Sequence, residues 1–243
     1  MCNFFIFTSA GKPIYSWYGD EFDLSPVFAT FSALIPKLIS FYCNESFYPK
    51  QNFIQSIFGK GFKCNVLIKG HLIYVGITKY KESSTFLWMM LEYLHLQIVS
   101  LVTNQMNKML TERPNLDVRS NIANLERPLH MMSDMVRRSP SFLLNAYPVI
   151  TLNPLFWTDL AQLINEFKPK DFYYGLVITS TNVLALISSN DDPNPEIKPS
   201  DVNLIFNYIH STPSLMSEET WTTMCIPGIS EEYLLHVYCK FYN

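Results

Sequence analysis

The feature that most constrains the fold is a rhythm that occurs twice, in which a β-hairpin is followed by a helix and then by further strands. In its first occurrence, residues 4–8 read as an apolar strand, Ser9-Ala10-Gly11-Lys12 as a turn, and residues 13–17 as the returning strand. A helix is expected next. Ser25 can cap its orphan N–H groups, Pro26 suits the first helical position, and Val27, Phe31, Leu34, Leu38 and Tyr42 recur on one face. Pro36 inside that pattern predicts a kink or an early end. Strands over 53–58, 62–69 and 72–78 follow, joined by turns at Gly59-Lys60-Gly61 and Gly70-His71. A long Met- and Leu-rich helix over 82–110 is apolar on more than one stripe, which predicts burial on two sides. The unit reads ββαβββα, an α+β arrangement with helices on both faces of an antiparallel sheet.

Six prolines between 111 and 170 predict short helices broken by turns. The rhythm then restarts with a hairpin over 172–179 and 183–188, a loop over 190–195, a helix opened by Pro199, and strands over 221–226 and 233–241. The boundaries on this reading are a first unit over 1–112, a helical connector over 113–170 and a partial second unit over 171–243. Read as ββαββ, the second unit lacks the last strand and helix of the first. This predicts an uncovered strand edge and sheet face, either met by another protein or marking a shortened chain.

Residues 172–190 carry no charge and approach the roughly 20 residues of a membrane span. The polar centre Thr179-Ser180-Thr181-Asn182 divides them into two β-rich halves, so a hairpin is expected in a soluble protein. A formal net charge of -3 gives no field to gather phosphates, so no nucleic acid partner is expected. Charged residues make up 16%, below the roughly 25% of an average soluble domain, and aromatics 15%, which points to apolar surface covered by a partner protein. Five cysteines, with no CxxC pair and an odd one over, fit the reducing cytosol. The sequon Asn44-Glu45-Ser46 is then a chance match.

Bond-making chemistry finds no support in the motifs. GxGxxG, GxxxxGK[ST] and GxSxG are all absent. Gly59-Lys60-Gly61 suits a hairpin turn better than an anion nest, and the five histidines have no ligand spacing. Glu92 and His95 have the spacing of half a di-iron site, without the carboxylates that would complete it. Met131, Met132 and Met135 suit core or a partner surface, and Arg137-Arg138 with Lys168 and Lys170 a solvated helix end or a contact with anionic lipid. No cofactor and no metal are expected. The stretch from Gly11 to Glu21 is more specific, a hairpin arm aromatic on both faces and closed by an acidic break. Either all of it is internal core, or one face meets the protein's helices and the other a partner.

These residues carry a resemblance. Ala10-Gly11-Lys12-Pro13-Ile14-Tyr15-Ser16 with Tyr18-Gly19-Asp20-Glu21 is similar to the first-hairpin signature of the SAND or Mon vacuolar fusion proteins. Gln55-Ser56-Ile57, Val66-Leu67-Ile68-Lys69-Gly70, Leu91-Glu92-Tyr93-Leu94, Asn115-Leu116-Asp117-Val118-Arg119, Ser139-Pro140-Ser141-Phe142-Leu143 and Glu219-Thr220-Trp221-Thr222 fall in that family's order. Trp17 stands where a basic residue is common in relatives.

The resemblance implies tandem longin-like domains, each an antiparallel five-stranded sheet flanked by helices, with the second incomplete. It implies pairing with a Ccz-like longin protein through the first domain, in a guanine nucleotide exchange factor for a late-endosomal Rab GTPase. That places the protein in the cytoplasm and peripherally on late endosome, vacuole or lysosome membranes, with contact to phosphoinositide membranes. Lys12, Pro13, Tyr15, Tyr18, Gly19, Asp20 and Glu21 match the signature and are the candidate partner-binding residues. No catalytic residue is implied. The alternative is a trafficking adaptor that binds the partner without exchange activity.

Overall fold

The computed structural model describes residues 2–19, 23–42, 56–79, 82–118, 124–166, 172–188, 197–216 and 219–242. Asp20, Glu21, Cys43, the sequon at Asn44, residues 53–55, Arg119, Lys168, Lys170 and the loop over 190–195 lie outside these.

The first unit is built on strands β1 (Cys2–Thr8), β2 (Pro13–Ser16), β3 (Ser56–Gly59), β4 (Phe62–Lys69) and β5 (Leu72–Thr78). They form one antiparallel sheet in the order β2-β1-β5-β4-β3, so β1 lies between β2 and β5 and the two edges are β2 and β3. Because strand side chains alternate between faces, β1 sends Phe5 and Phe7 to one side and Phe4 and Ile6 to the other, all four buried. Helix α1 (Ser25–Tyr42) covers the first side, with Phe28 edge-on to Phe5 at 5.7 Å and 5.5 Å from Phe7.

Three details of α1 correct the sequence reading. Its buried face is Phe28 and Ile35, with Phe31 and Leu24 half-buried, and Leu34 points outward. The helix is rotated to bring the Phe28 ring onto Phe5 and Phe7. The Leu24 carbonyl accepts the first helical bonds, from the Val27 and Phe28 amides, so Ser25 sits in the first turn rather than before it. Of the kink or early end expected at Pro36, the early end does not occur: the helix runs on to Tyr42, and Pro36 faces solvent, where water can hydrate the carbonyl left without its N–H donor.

The other sheet face carries α2 (Ser84–Val102), capped by Ser83 Oγ, which accepts from the Phe86 amide at 3.1 Å. The single long helix expected over 82–110 is two helices, α2 and α3 (Gln105–Glu112). Thr103 between them has φ 58°, costly for a β-branched residue, and the next amide, Asn104, donates to the Glu231 carbonyl at 2.8 Å. A contact with the second unit therefore fixes the break. Among the described residues α2 alone is long and apolar enough to cross a membrane; here it is wrapped by the sheet, by α4 (Glu126–Arg138) and by α6 (Pro199–Ser211).

Among the described residues of 113–170, the stretch expected as a connector, the structure has α4 and α5 (Pro154–Glu166), short helices as the proline pattern predicts. In the second unit β6 (Tyr174–Ile178) and β7 (Val183–Ser188) form the expected hairpin, turned by Thr179, whose amide donates to the Asn182 carbonyl at 2.8 Å. A second hairpin, β8 (Glu219–Met224) with β9 (Leu235–Lys240), follows α6 and a short 3-10 turn at Pro213–Met216. Among the described residues the two hairpins are separate two-stranded sheets.

Candidate functional site

The β1–β2 hairpin positions the signature residues. Gly11 has φ +79°, and a Cβ there would lie 2.9 Å from Ser32 Oγ on α1, so the turn needs glycine both for its backbone and for the close approach. The Thr8 amide donates to the Lys12 carbonyl at 2.9 Å, and the Lys12 amide to Thr8 Oγ1 at 3.2 Å. Lys12 Nζ donates to the Asn115 carbonyl, which ties the turn to the segment after α3. Pro13 opens an edge strand, where its missing N–H costs no ladder bond.

Beyond Pro13 the aromatic arm divides by depth. Tyr15 is 1% exposed and meets the His130 ring of α4 edge-on at 5.2 Å, so it holds the arm rather than presenting a surface. Trp17, 8% exposed, lies 5.1 Å from His130, with the Arg137 guanidinium 5.8 Å above its ring. Tyr18 is 40% exposed and meets Trp17 edge-on at 5.7 Å. Hydrogen bonds with Trp17 and then Arg137 lower its phenol pKa from the ordinary value. Asn3 fixes this corner from β1, Oδ1 accepting from the Tyr18 amide and Nδ2 donating to the Tyr18 carbonyl. Gly19 follows at φ +96°. The structure thus brings Tyr18 and Gly19 together at the exposed end of β2, and puts Lys12 and Pro13 at its other end. Asp20 and Glu21 lie outside the described residues.

Next to this corner, Cys2, Phe4, Glu82, Ser83, Phe86, Arg137 and Leu143 line a shallow cleft of about 400 Å³. Its one thiol is no nucleophile, because burial pushes Cys2 up to about 12. Burial also raises Cys64, to about 12, and Cys225, to about 11. Among the described residues no cluster of His, Cys, Asp or Glu could hold a metal. Glu92 pairs with Lys69 at 3.3 Å, while His95 is buried against the Tyr74 hydroxyl at 3.0 Å and depressed to about 4 by burial and then Lys69. The two are parts of the fold, not an acid–base pair.

One feature escaped the sequence reading: a polar seam inside the apolar core. Asn203 and Asn207, one turn apart on α6, are both buried. Asn207 Nδ2 donates to Gln97 Oε1 of α2 at 2.7 Å and to the Pro128 carbonyl of α4 at 2.9 Å, and Asn203 Nδ2 to the Ala146 carbonyl at 3.0 Å. The Asn-x-x-x-Asn spacing within an apolar helix was the available signal.

A five-stranded sheet in the order β2-β1-β5-β4-β3, clad by one helix on each face and followed by a partial repeat of the same plan, defines a tandem longin-domain protein of the α+β class. Family profiles agree. One described as "First Longin domain of FUZ, MON1 and HPS1" matches residues 2–132, and one described as "Second Longin domain of FUZ, MON1 and HPS1" matches 170–243. The chain belongs to this family, on its SAND/Mon branch. It is 27% identical over 238 residues to Vacuolar fusion protein MON1 homolog A of Gallus gallus, covering 98% of this chain and 41% of that protein. Protein SAND of Takifugu rubripes is 28% identical over 238 residues, 98% of this chain and 44% of the relative. Vacuolar fusion protein MON1 of Yarrowia lipolytica is 26% identical over 243 residues, 99% of this chain and 43% of the relative. The chain spans less than half the length of these relatives.

Proposed function

We propose that this chain is a subunit of a Mon-Ccz-like guanine nucleotide exchange factor for a late-endosomal Rab GTPase, acting in endosome maturation and in fusion at the vacuole or lysosome. The observation that carries the reading is that the first unit is a whole longin sheet with an edge strand, β2, that ends in the exposed Tyr18-Gly19 corner. A strand edge with an aromatic, guanidinium-flanked corner is the kind of surface a second longin protein can pair with. In this reading Lys12 and Pro13 define one end of that edge, Tyr18 and Gly19 the other, and Tyr15 and Trp17 hold the arm rigid from below. Asp20 and Glu21, which follow Gly19 in the sequence, belong to the same proposed partner-binding set on the signature match alone.

Exchange of this kind needs no bond-making side chain. The composite surface binds the nucleotide-free Rab more tightly than the loaded one, and the difference is spent on opening the switch regions so that nucleotide and Mg²⁺ leave. The chain works in the cytoplasm, peripherally on endosomal or vacuolar membranes. Arg138, exposed at the end of α4, supplies a cation for phosphoinositide headgroups, while Arg137 is held at the Trp17–Tyr18 corner. The test is release of a fluorescent nucleotide from a late-endosomal Rab with the chain, a Ccz-like partner, or both. Acceleration by the pair alone is expected. Binding of the partner without acceleration would replace this reading with that of a non-catalytic adaptor.

A further inference from the structure

One helical hydrogen bond is missing where α2 meets α3, and the second unit has taken both of its halves. In a continuous helix the Asn104 amide would donate to the Ser100 carbonyl, four residues back. Instead it donates to the Glu231 carbonyl at 2.8 Å, and the Ser100 carbonyl accepts from the Cys225 amide at 2.9 Å. The connection from β8 to β9, residues 225–234, thus enters the gap with one donor and one acceptor, each standing in for a helical partner. Nothing local calls for a break, because residues 84–112 contain neither proline nor glycine. Its cost falls on Thr103, a β-branched residue held at φ 58°. The site is dry, with Ser100 and Cys225 fully buried, so the Ser100 carbonyl and the Asn104 amide need protein partners in any arrangement.

Two arrangements satisfy them: the broken one, and a continuous helix in which Asn104 returns to Ser100 and Thr103 relaxes. What differs is the seat of α3. In the broken form Asn107 of α3 accepts from the His71 amide at 3.2 Å, and the Asn115 carbonyl after α3 accepts from Lys12 Nζ. His71 in turn holds the β1–β2 turn, its carbonyl accepting from the Ser9 amide at 2.8 Å. Returning Thr103 to helical φ swings α3 onto the axis of α2 and takes Asn107 off the β4–β5 turn. We propose that α2–α3 is a two-state element, broken when the β8–β9 connection is seated and continuous when it withdraws, which couples the second unit to the β1–β2 and β4–β5 turns of the first. Both ends bias one equilibrium, so the coupling is reciprocal. Lys108 of α3 and Glu232 of the connection, paired at 2.9 Å on the surface, latch the broken form. Any bearing on partner binding rests on the role proposed for the β2 edge; the coupling itself does not.

The test is amide hydrogen exchange of the full chain without a partner, read residue by residue by NMR. Withdrawal frees the Cys225 and His71 amides together while α2 stays folded, so the two should share one protection factor, well below that of the α2 amides. The Asn104 amide discriminates: it changes acceptor from Glu231 to Ser100 and should stay as protected as α2, whereas fraying of α3 would expose it. Thr103→Gly favours the break twice, since glycine accepts positive φ and is a poor helix former, and should raise protection at Cys225 and His71 about tenfold. Glu232→Lys sets like charges against each other and should lower both by about two- to fivefold, and adding Lys108→Glu should restore them. The proposal is overturned if His71 stays fixed while Cys225 moves, if Asn104 opens with Cys225, if both exchange only with the α2 amides, or if Thr103→Gly changes neither.

Discussion

Asn207 offers the sharpest test of how the two longin units are held together. Its side-chain amide donates to Gln97 Oε1 at 2.7 Å and to the Pro128 carbonyl at 2.9 Å, joining α6 of the second unit to α2 of the first and to α4 of the connector. The site is fully buried. Replacing it with alanine removes two hydrogen bonds and leaves the Gln97 acceptor without that donor in a dry environment. Two bonds at about 1 kcal/mol net each and an orphaned acceptor at about 1–3 kcal/mol oppose a gain of about 1 kcal/mol from removing Asn207 Oδ1, which is itself buried without a partner among the described residues, so Asn207→Ala should destabilise by about 2–4 kcal/mol. Ser133 on α4 is the control: its buried hydroxyl has no hydrogen-bond partner among the described residues, so Ser133→Ala should be neutral or stabilising. Urea unfolding followed by tryptophan fluorescence and far-UV circular dichroism reads both. If the seam couples the units, Asn207→Ala should also separate the two probes' transitions. A cost below about 0.5 kcal/mol, or one no larger than that of Ser133→Ala, would refute the reasoning.

Three further outcomes follow from the packing. His95 is depressed from 6.5 to about 4, so the folded chain resists a proton that the unfolded chain accepts. Its contribution is fully present above pH 6.5 and is lost as pH falls toward about 4, up to about 3 kcal/mol, and His95→Gln should flatten that part of the stability–pH curve. A Cβ at Gly228 would lie 2.0 Å from Asp201 Oδ2, which the structure shows anchoring the start of α6. Gly228→Ala should therefore lower thermal stability by roughly 1–3 kcal/mol, measured by calorimetry. Phe28→Ala should cost about 3–5 kcal/mol in chemical denaturation, since the ring is fully buried against Phe5 and Phe7, while Leu34→Ala on the exposed side of the same helix should cost little.

The first unit was legible wherever local chemistry and burial agree. β4 and β5 fall where apolar runs bounded by Gly61 and Gly70 put them, because both glycines take positive φ and end a strand by themselves. The face of α1 was misjudged because Phe28, Phe31 and Ile35 recur at helical spacing as well as Val27, Phe31 and Leu34 do. Only the partner rings decide between the two sets. The break at Thr103 could not be read at all. Its cause is the Glu231 carbonyl, 127 residues on from Asn104 by sequence number (231 minus 104). The signature hairpin was visible as a motif, but its division into a buried Tyr15 and an exposed Tyr18 depends on His130 and Arg137 arriving from α4. Asn203 and Asn207 read as polar positions on a helix; their role needs three helices in place.

The most direct test of the functional account is calorimetric titration of the chain with a Ccz-like longin protein. The account predicts association that Tyr18→Ala weakens at least about tenfold, as expected for an aromatic anchor, and that Leu155→Ser on the exposed α5 leaves unchanged. No detectable heat of binding, or equal binding by the Tyr18 variant and the parent chain, would contradict it.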